Sequence, residues 1–201
     1  MNEITQTLLG KIKALEEELE TEMAQRRAVL QVTAHNGRIA FSRAVHRHHR
    51  EFKVRLSHYV LGARPLVLVT APIIYLAIVP FVALDLCVTL YQAVCFPVYG
   101  ICSVRRADYL VFDRAQLGYL NLLEKLNCCY CSYANGLIAY VREIASRTEQ
   151  YWCPIKHAQR ILTAHGHYQN FLDFGDAEGY RTQLAAVRKQ LGRQESVGAT
   201  K

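Results

Sequence analysis

Residues 65–104, PLVLVTAPIIYLAIVPFVALDLCVTLYQAVCFPVYGICSV, run forty positions with a single formally charged side chain, Asp85. As one straight helix this run would extend about 60 Å. The hydrocarbon core of a bilayer is only ~30 Å thick, which roughly 20 residues fill. The length therefore predicts a membrane helical hairpin with its apex at Val79–Asp85, beside Pro80, and arms of about 20 residues. Prolines 72, 80 and 97 suit the ends and bends of such arms, because proline removes a donor and clashes one turn back. Two forms fit: a transmembrane hairpin, and a re-entrant wedge held in one leaflet. A carboxylate at membrane depth needs a partner, so Asp85 favours the spanning form, in which it reaches the far surface.

Both flanks of the run are cationic. Arg43, His46, Arg47, His48, His49, Arg50, Lys53, Arg55 and Arg64 precede it, and Arg105, Arg106 and Arg114 follow. Lys- and Arg-rich flanks favour the cytoplasmic side, which predicts that both termini are cytoplasmic. The first ~60 residues are polar and charged, unlike a cleaved signal peptide, whose apolar core begins within the first 15–30 residues. The net charge of +7 lies largely beside the apolar run, so anionic lipid is the expected partner, at roughly 1 kcal/mol per basic residue near the surface. His46, Arg47, His49, Arg50, Lys53, Arg105 and Arg106 form the expected headgroup-contacting set. No nucleic-acid module is recognisable, and nucleic acid is not an expected partner.

The remaining pattern is helical, and the class read from it is all-α. Ile4, Leu8, Ile12, Leu15 and Leu19 recur at three- and four-residue spacing among glutamates. That suits a short coiled coil, giving a homo-oligomer or a partner protein held through this helix, or else a helix packed on the body. Asn36-Gly37 is a possible break. After the apolar run, 107–131 and 137–152 read as two helices separated at Asn135-Gly136. Pro154 marks a boundary, and a last amphipathic helix covers about 180–192. The organisation expected is 1–60, N-terminal amphipathic or coiled-coil-like helices; 61–104, the transmembrane or re-entrant hairpin; 105–192, a cytoplasmic helical domain; and 193–201, a disordered tail. The triplet Asp173-Phe174-Gly175 matches the kinase magnesium motif in letters only, since the companion loops are missing.

Of the seven cysteines, those outside the membrane, on the cytoplasmic body, are expected as thiols or ligands rather than disulfides. Cys128-x2-Cys131 followed by Cys153-x3-His157 has ligand types and spacings that zinc accepts, and the same Cys3His set could hold an iron–sulfur cluster. Cys153 at a helix start would have its thiolate favoured. If 107–134 and 137–152 formed a helical hairpin, Cys128 and Cys153 would be too far apart. A returning third helix would then make His165 or His167 the partners of Cys128 and Cys131, with Glu124, Glu149 and His157 in a second polar layer. Against these stands burial as small hydrophobes, the reading given to Cys87, Cys95 and Cys102 on their helical spacing. A carboxylate-bridged di-iron bundle needs Glu-x-x-His pairs, which Glu124 and Glu143 lack. Arg142, Arg147 and Lys156 with Glu143 and Glu149 read as solvated helix charges. Tyr151-Trp152 reads as an interface anchor or as a cover for the cysteines.

Asn127-Cys128-x-Tyr130-Cys131-Ser132-Tyr133-Ala134-Asn135-Gly136, followed by Arg147-Thr148-Glu149-Gln150-Tyr151-Trp152-Cys153-Pro154-Ile155-Lys156-His157, resembles a family of uncharacterised small bacterial membrane proteins. The resemblance implies a bacterial inner-membrane location and no activity. The function expected is an integral membrane protein with a cytoplasmic cysteine/histidine metal site, structural or redox. The rival readings are a non-catalytic membrane adaptor that binds anionic lipid and a partner helix, and a membrane-bound thiol oxidoreductase using Cys128 and Cys131, which lacks the βαβ surroundings of a thioredoxin-like site.

Overall fold

The computed structural model describes residues 3–29, 33–35, 38–40 and 43–192. Their order is α1 (Glu3–Val29), β1 (Thr33–His35), β2 (Arg38–Ala40), α2 (Arg43–Glu51), α3 (Leu56–Leu61), α4 (Pro65–Leu76), α5 (Ile78–Tyr99), α6 (Leu122–Trp152) and α7 (Ala177–Gln190), with short 3-10 turns between α5 and α6 and before α7. The class is helical. Among the described residues the only paired strands are the two of an antiparallel hairpin, with Ala34 opposite Ile39. Asn36 and Gly37, read as a break, and the tail 193–201 lie outside the described residues. The chain divides into two compact units, residues 1–62 with 113–126, and residues 63–112 with 127–201.

In the second unit the apolar run does not fold back at Val79–Asp85, which lies inside α5. The break falls at Ala77 instead, and Ala77 keeps right-handed helical angles (φ −62°, ψ −12°), so the run continues in one direction. Pro80 sits in the first turn of α5, where its missing donor costs nothing. One stripe, Ala71, Tyr75, Ile78, Phe81, Asp85 and Val88, half-buried, with Gln92 and Phe96, buried, follows helical spacing across both helices. This stripe lies on α6 in parallel register. The Tyr75 hydroxyl donates to Asn127, the Tyr133 hydroxyl donates to Asp85 at 2.9 Å, and Gln92 Nε2 lies 3.1 Å from the Tyr140 hydroxyl. Most of the rest of the 35-residue segment Pro65–Tyr99 is exposed, apart from Ala77, Tyr91, Cys95 and Tyr99, and the segment is long and apolar enough to cross a membrane.

Asp85 also lies elsewhere than the far membrane surface expected for it. Its side chain is 13% exposed and ion-paired with Arg106, so it faces the protein rather than a far membrane surface. Gln92, also buried in the apolar run, pairs its amide with both backbone groups of Val104: Nε2 donates to the carbonyl at 3.3 Å and Oε1 accepts from the N–H at 2.8 Å. Helix α5 closes with Gly100 left-handed (φ 67°). The Ile101 N–H reaches Phe96 O at 2.9 Å and the Gly100 N–H reaches Pro97 O at 3.3 Å. This is the paired C-terminal closure glycine permits. Phe96 and Ile101 then join Val104, Leu110, Leu137, Tyr140, Ile144 and Leu191 in one core.

Helix α6 is a single helix through Asn135-Gly136, where a break was expected. Gly136 serves a crossing instead. A Cβ there would stand 2.6 Å from the Tyr109 carbonyl oxygen, so only glycine lets residues 109–110 cross so close. The start of α6, in the first unit, is a capping box. The Asn121 N–H donates to Glu124 Oε2 at 2.8 Å, and the Glu124 N–H donates to Asn121 Oδ1 at 3.0 Å. At the other end Arg188 of α7 donates to the Tyr151 carbonyl at 2.7 Å and lies over its ring. That places a cation where unpaired carbonyls favour one.

Candidate functional site: a histidine and glutamate brace on α6

One continuous α6 decides the fate of the cysteine set. Cys131 is on it and Cys153 one residue past its end, 22 positions on, about 33 Å at 1.5 Å per residue. Cys128, Cys131, Cys153 and His157 therefore cannot share one ion or cluster. Cys131 and Cys153 are exposed, and Cys128 and Cys129 half-buried. The alternative ligands do not meet Cys131 either. No third helix returns from Pro154; residues 153–165 run irregularly, and Ile155 bridges in parallel to Leu172. His157 is tied to Tyr168, whose hydroxyl accepts its N–H at 2.7 Å and whose ring stacks on the imidazole. Glu124 is spent on the α6 cap. Among the described residues no group of three or more His, Cys, Asp and Glu is arranged to hold a metal ion.

The structure instead assembles a pairing that the sequence reading divided between ligands and solvated charges. Glu143 and Arg147, one turn apart on α6, pair at 2.8 Å, and His167 Nε2 lies 2.9 Å from the same Glu143 oxygen. His165 Nε2 lies 3.1 Å from Glu149 Oε2. Arg147 also donates to the Cys102 carbonyl at 2.6 Å, joining α6 to the segment after α5. The two imidazoles stand 6.2 Å apart, centroid to centroid, and His165 packs edge-on to Phe171. Glu143 and Arg147 fall on one helix face because residues four apart do so. The loop 165–167 reaches that face because the Ile155–Leu172 bridge folds it back.

The electrostatics follow from this enclosure. Burial works to raise the Glu143 pKa, but hydrogen bonds and charge from His167 and Arg147 outweigh it and hold the carboxyl at about 2. Burial depresses the His165 pKa, helped by the charges of His167 and Arg142 and opposed by Glu149. Nδ1 of both histidines is buried without a hydrogen-bond partner. For His165, a neutral ring donating from Nε2 to Glu149 suits that environment, whereas a proton on Nδ1 would be buried unpaired. The arrangement is a brace that holds residues 165–171 to α6 and loosens when protons are added.

The headgroup set is placed in part. Arg47 and Arg50 on α2 and Lys53 are exposed, while His49 is half-buried with its ring against Tyr119 at 5.1 Å. The side chain of His46 lies outside the described residues. Arg105 is exposed beside Asp108 at 4.0 Å, but Arg106 is committed to Asp85. Charge counting alone could not separate the two arginines; an arginine near the only acid of an apolar run was the available signal. No protein-family model, characterised protein or solved structure matches this chain.

Proposed function

We propose that this chain is a membrane-bound helical scaffold, held to lipid by the outer face of α4 and α5 and carrying its helical body on the water side. One observation carries the reading. The most apolar window of Pro65–Tyr99 has none of its residues buried, while the one acid in the segment is neutralised from within by Arg106. Leu66, Val69, Ile73, Leu76, Leu86, Leu90 and Val98 are each about two-thirds exposed or more. Each contributes on the order of 1 kcal/mol on leaving water for hydrocarbon. Their sum exceeds what the exposed cations Arg47, Arg50, Lys53 and Arg105 supply at about 1 kcal/mol apiece on an anionic surface. The apolar face therefore dominates binding, and the cations bias it toward anionic lipid.

The inner face packs on α6, a helix that carries Glu143, Arg147 and Glu149, and this supports a segment half-sunk in one leaflet over one that spans it. The test is flotation of the full chain with phosphatidylglycerol-containing vesicles. Wild type is expected to float. Leu86→Glu combined with Leu90→Glu, on the uncovered face, is expected to stay at the bottom with unchanged helix content. A wild-type chain that remains monodisperse without detergent and does not float would overturn the reading.

A further inference from the structure

Helix α1 leaves an apolar stripe uncovered. Leu8, Ile12, Leu15 and Leu19 are 51–64% exposed, and their 4-3-4 spacing is that of alternating d and a positions in a heptad. A helix of 27 residues draws most of its stability from burying such a face, and no described residue of its own unit covers it. We propose that α1 pairs with α1 of a second copy of this chain.

The charges beside the stripe favour self-pairing. With Ile12 and Leu19 at a and Leu8 and Leu15 at d, Lys11 falls at g, Glu16 at e and Glu18 at g. In a parallel pair each g residue meets the e residue five positions on, so Lys11 of one copy faces Glu16 of the other, twice by symmetry. In an antiparallel pair g meets g, and Lys11 faces Glu18. Either orientation is charge-complementary, and neither brings like charges together at e and g. Beyond the stripe, Glu22 and Arg26 occupy core positions but pair with each other within the helix at 3.3 Å, which ends the apolar seam after two heptads. So short a seam is weak in dilute solution and gains from confinement of both copies on one surface.

Sedimentation of the full chain in detergent micelles across a range of concentrations tests this. A monomer–dimer equilibrium is expected. Leu15→Glu should weaken it by more than about a hundredfold while helix content is kept, because it puts two carboxylates into the seam. Lys11→Glu should weaken it roughly tenfold, by losing two attractions and gaining two repulsions. Adding Glu16→Lys to Lys11→Glu should restore a parallel pair, and adding Glu18→Lys an antiparallel one. A chain monomeric at every concentration, a dimer that Leu15→Glu leaves intact, or restoration by neither double variant overturns the proposal.

Discussion

Gly136 sits where residues 109–110 cross α6, and the space for a side chain is already taken by the Tyr109 carbonyl oxygen. Gly136→Ala is expected to cost about 1–3 kcal/mol, the range for overpacking a filled site, despite the better helix propensity of alanine; a denaturant melt measures it. Glu143 carries the sharpest electrostatic prediction. Its folded pKa of about 2 lies below its ordinary value of 4.5. The carboxylate therefore contributes stability that is present above pH ~4.5 and lost as pH falls from there toward 2. His165 is depressed from 6.5, so the unfolded chain takes up its proton first, and stability begins to fall below pH ~6.5. Thermal melts from pH 7.5 to 3.5 should show the midpoint falling in both windows. Glu143→Gln should flatten the lower window and leave the upper one. A midpoint that does not move with pH would show that the brace carries no stability.

At the scale of elements, the sequence pattern and the structure part at α6. Asn135-Gly136 has the composition of a turn, yet the helix passes through it, because Gly136 makes a notch for a crossing segment and burial of Leu137, Tyr140 and Ile144 outweighs the local cost of glycine, about 1 kcal/mol. The same continuity separates Cys131 from Cys153. A bismaleimide spanning about 10 Å should label both exposed thiols without joining them. An intramolecular link between those two, found by peptide mapping, would contradict a continuous α6. The start of this helix, expected at 107, falls at Leu122, where Asn121 and Glu124 stand at the spacing of a capping box. Asn121→Ala is expected to cost about 1 kcal/mol, read from the thermal midpoint.

For the whole molecule, the helical class, the 65–99 apolar segment, the boundary at Pro154 and the last amphipathic helix are all readable from local features: period, composition and the backbone limits of proline. Those features act within a few residues of one another, so the sequence alone contains them. It also determined that a large apolar surface must find cover in lipid or protein. The direction of each face was not so determined. Asp85 with Arg106, 21 positions on, His167 with Glu143, 24 positions back, and Gln92 with Tyr140, 48 positions on, are pairings between distant parts of the chain. Periodicity is blind to them, because any acid, imidazole or amide at those positions would give the same pattern. Only the packing of α5 and the 165–167 loop on α6 turned a lone membrane carboxylate into an internal ion pair, and two histidines counted as ligands into a brace. The tertiary structure decided these because a polar group leaving water is stable only beside a partner, and which partner is within reach depends on how the helices pack.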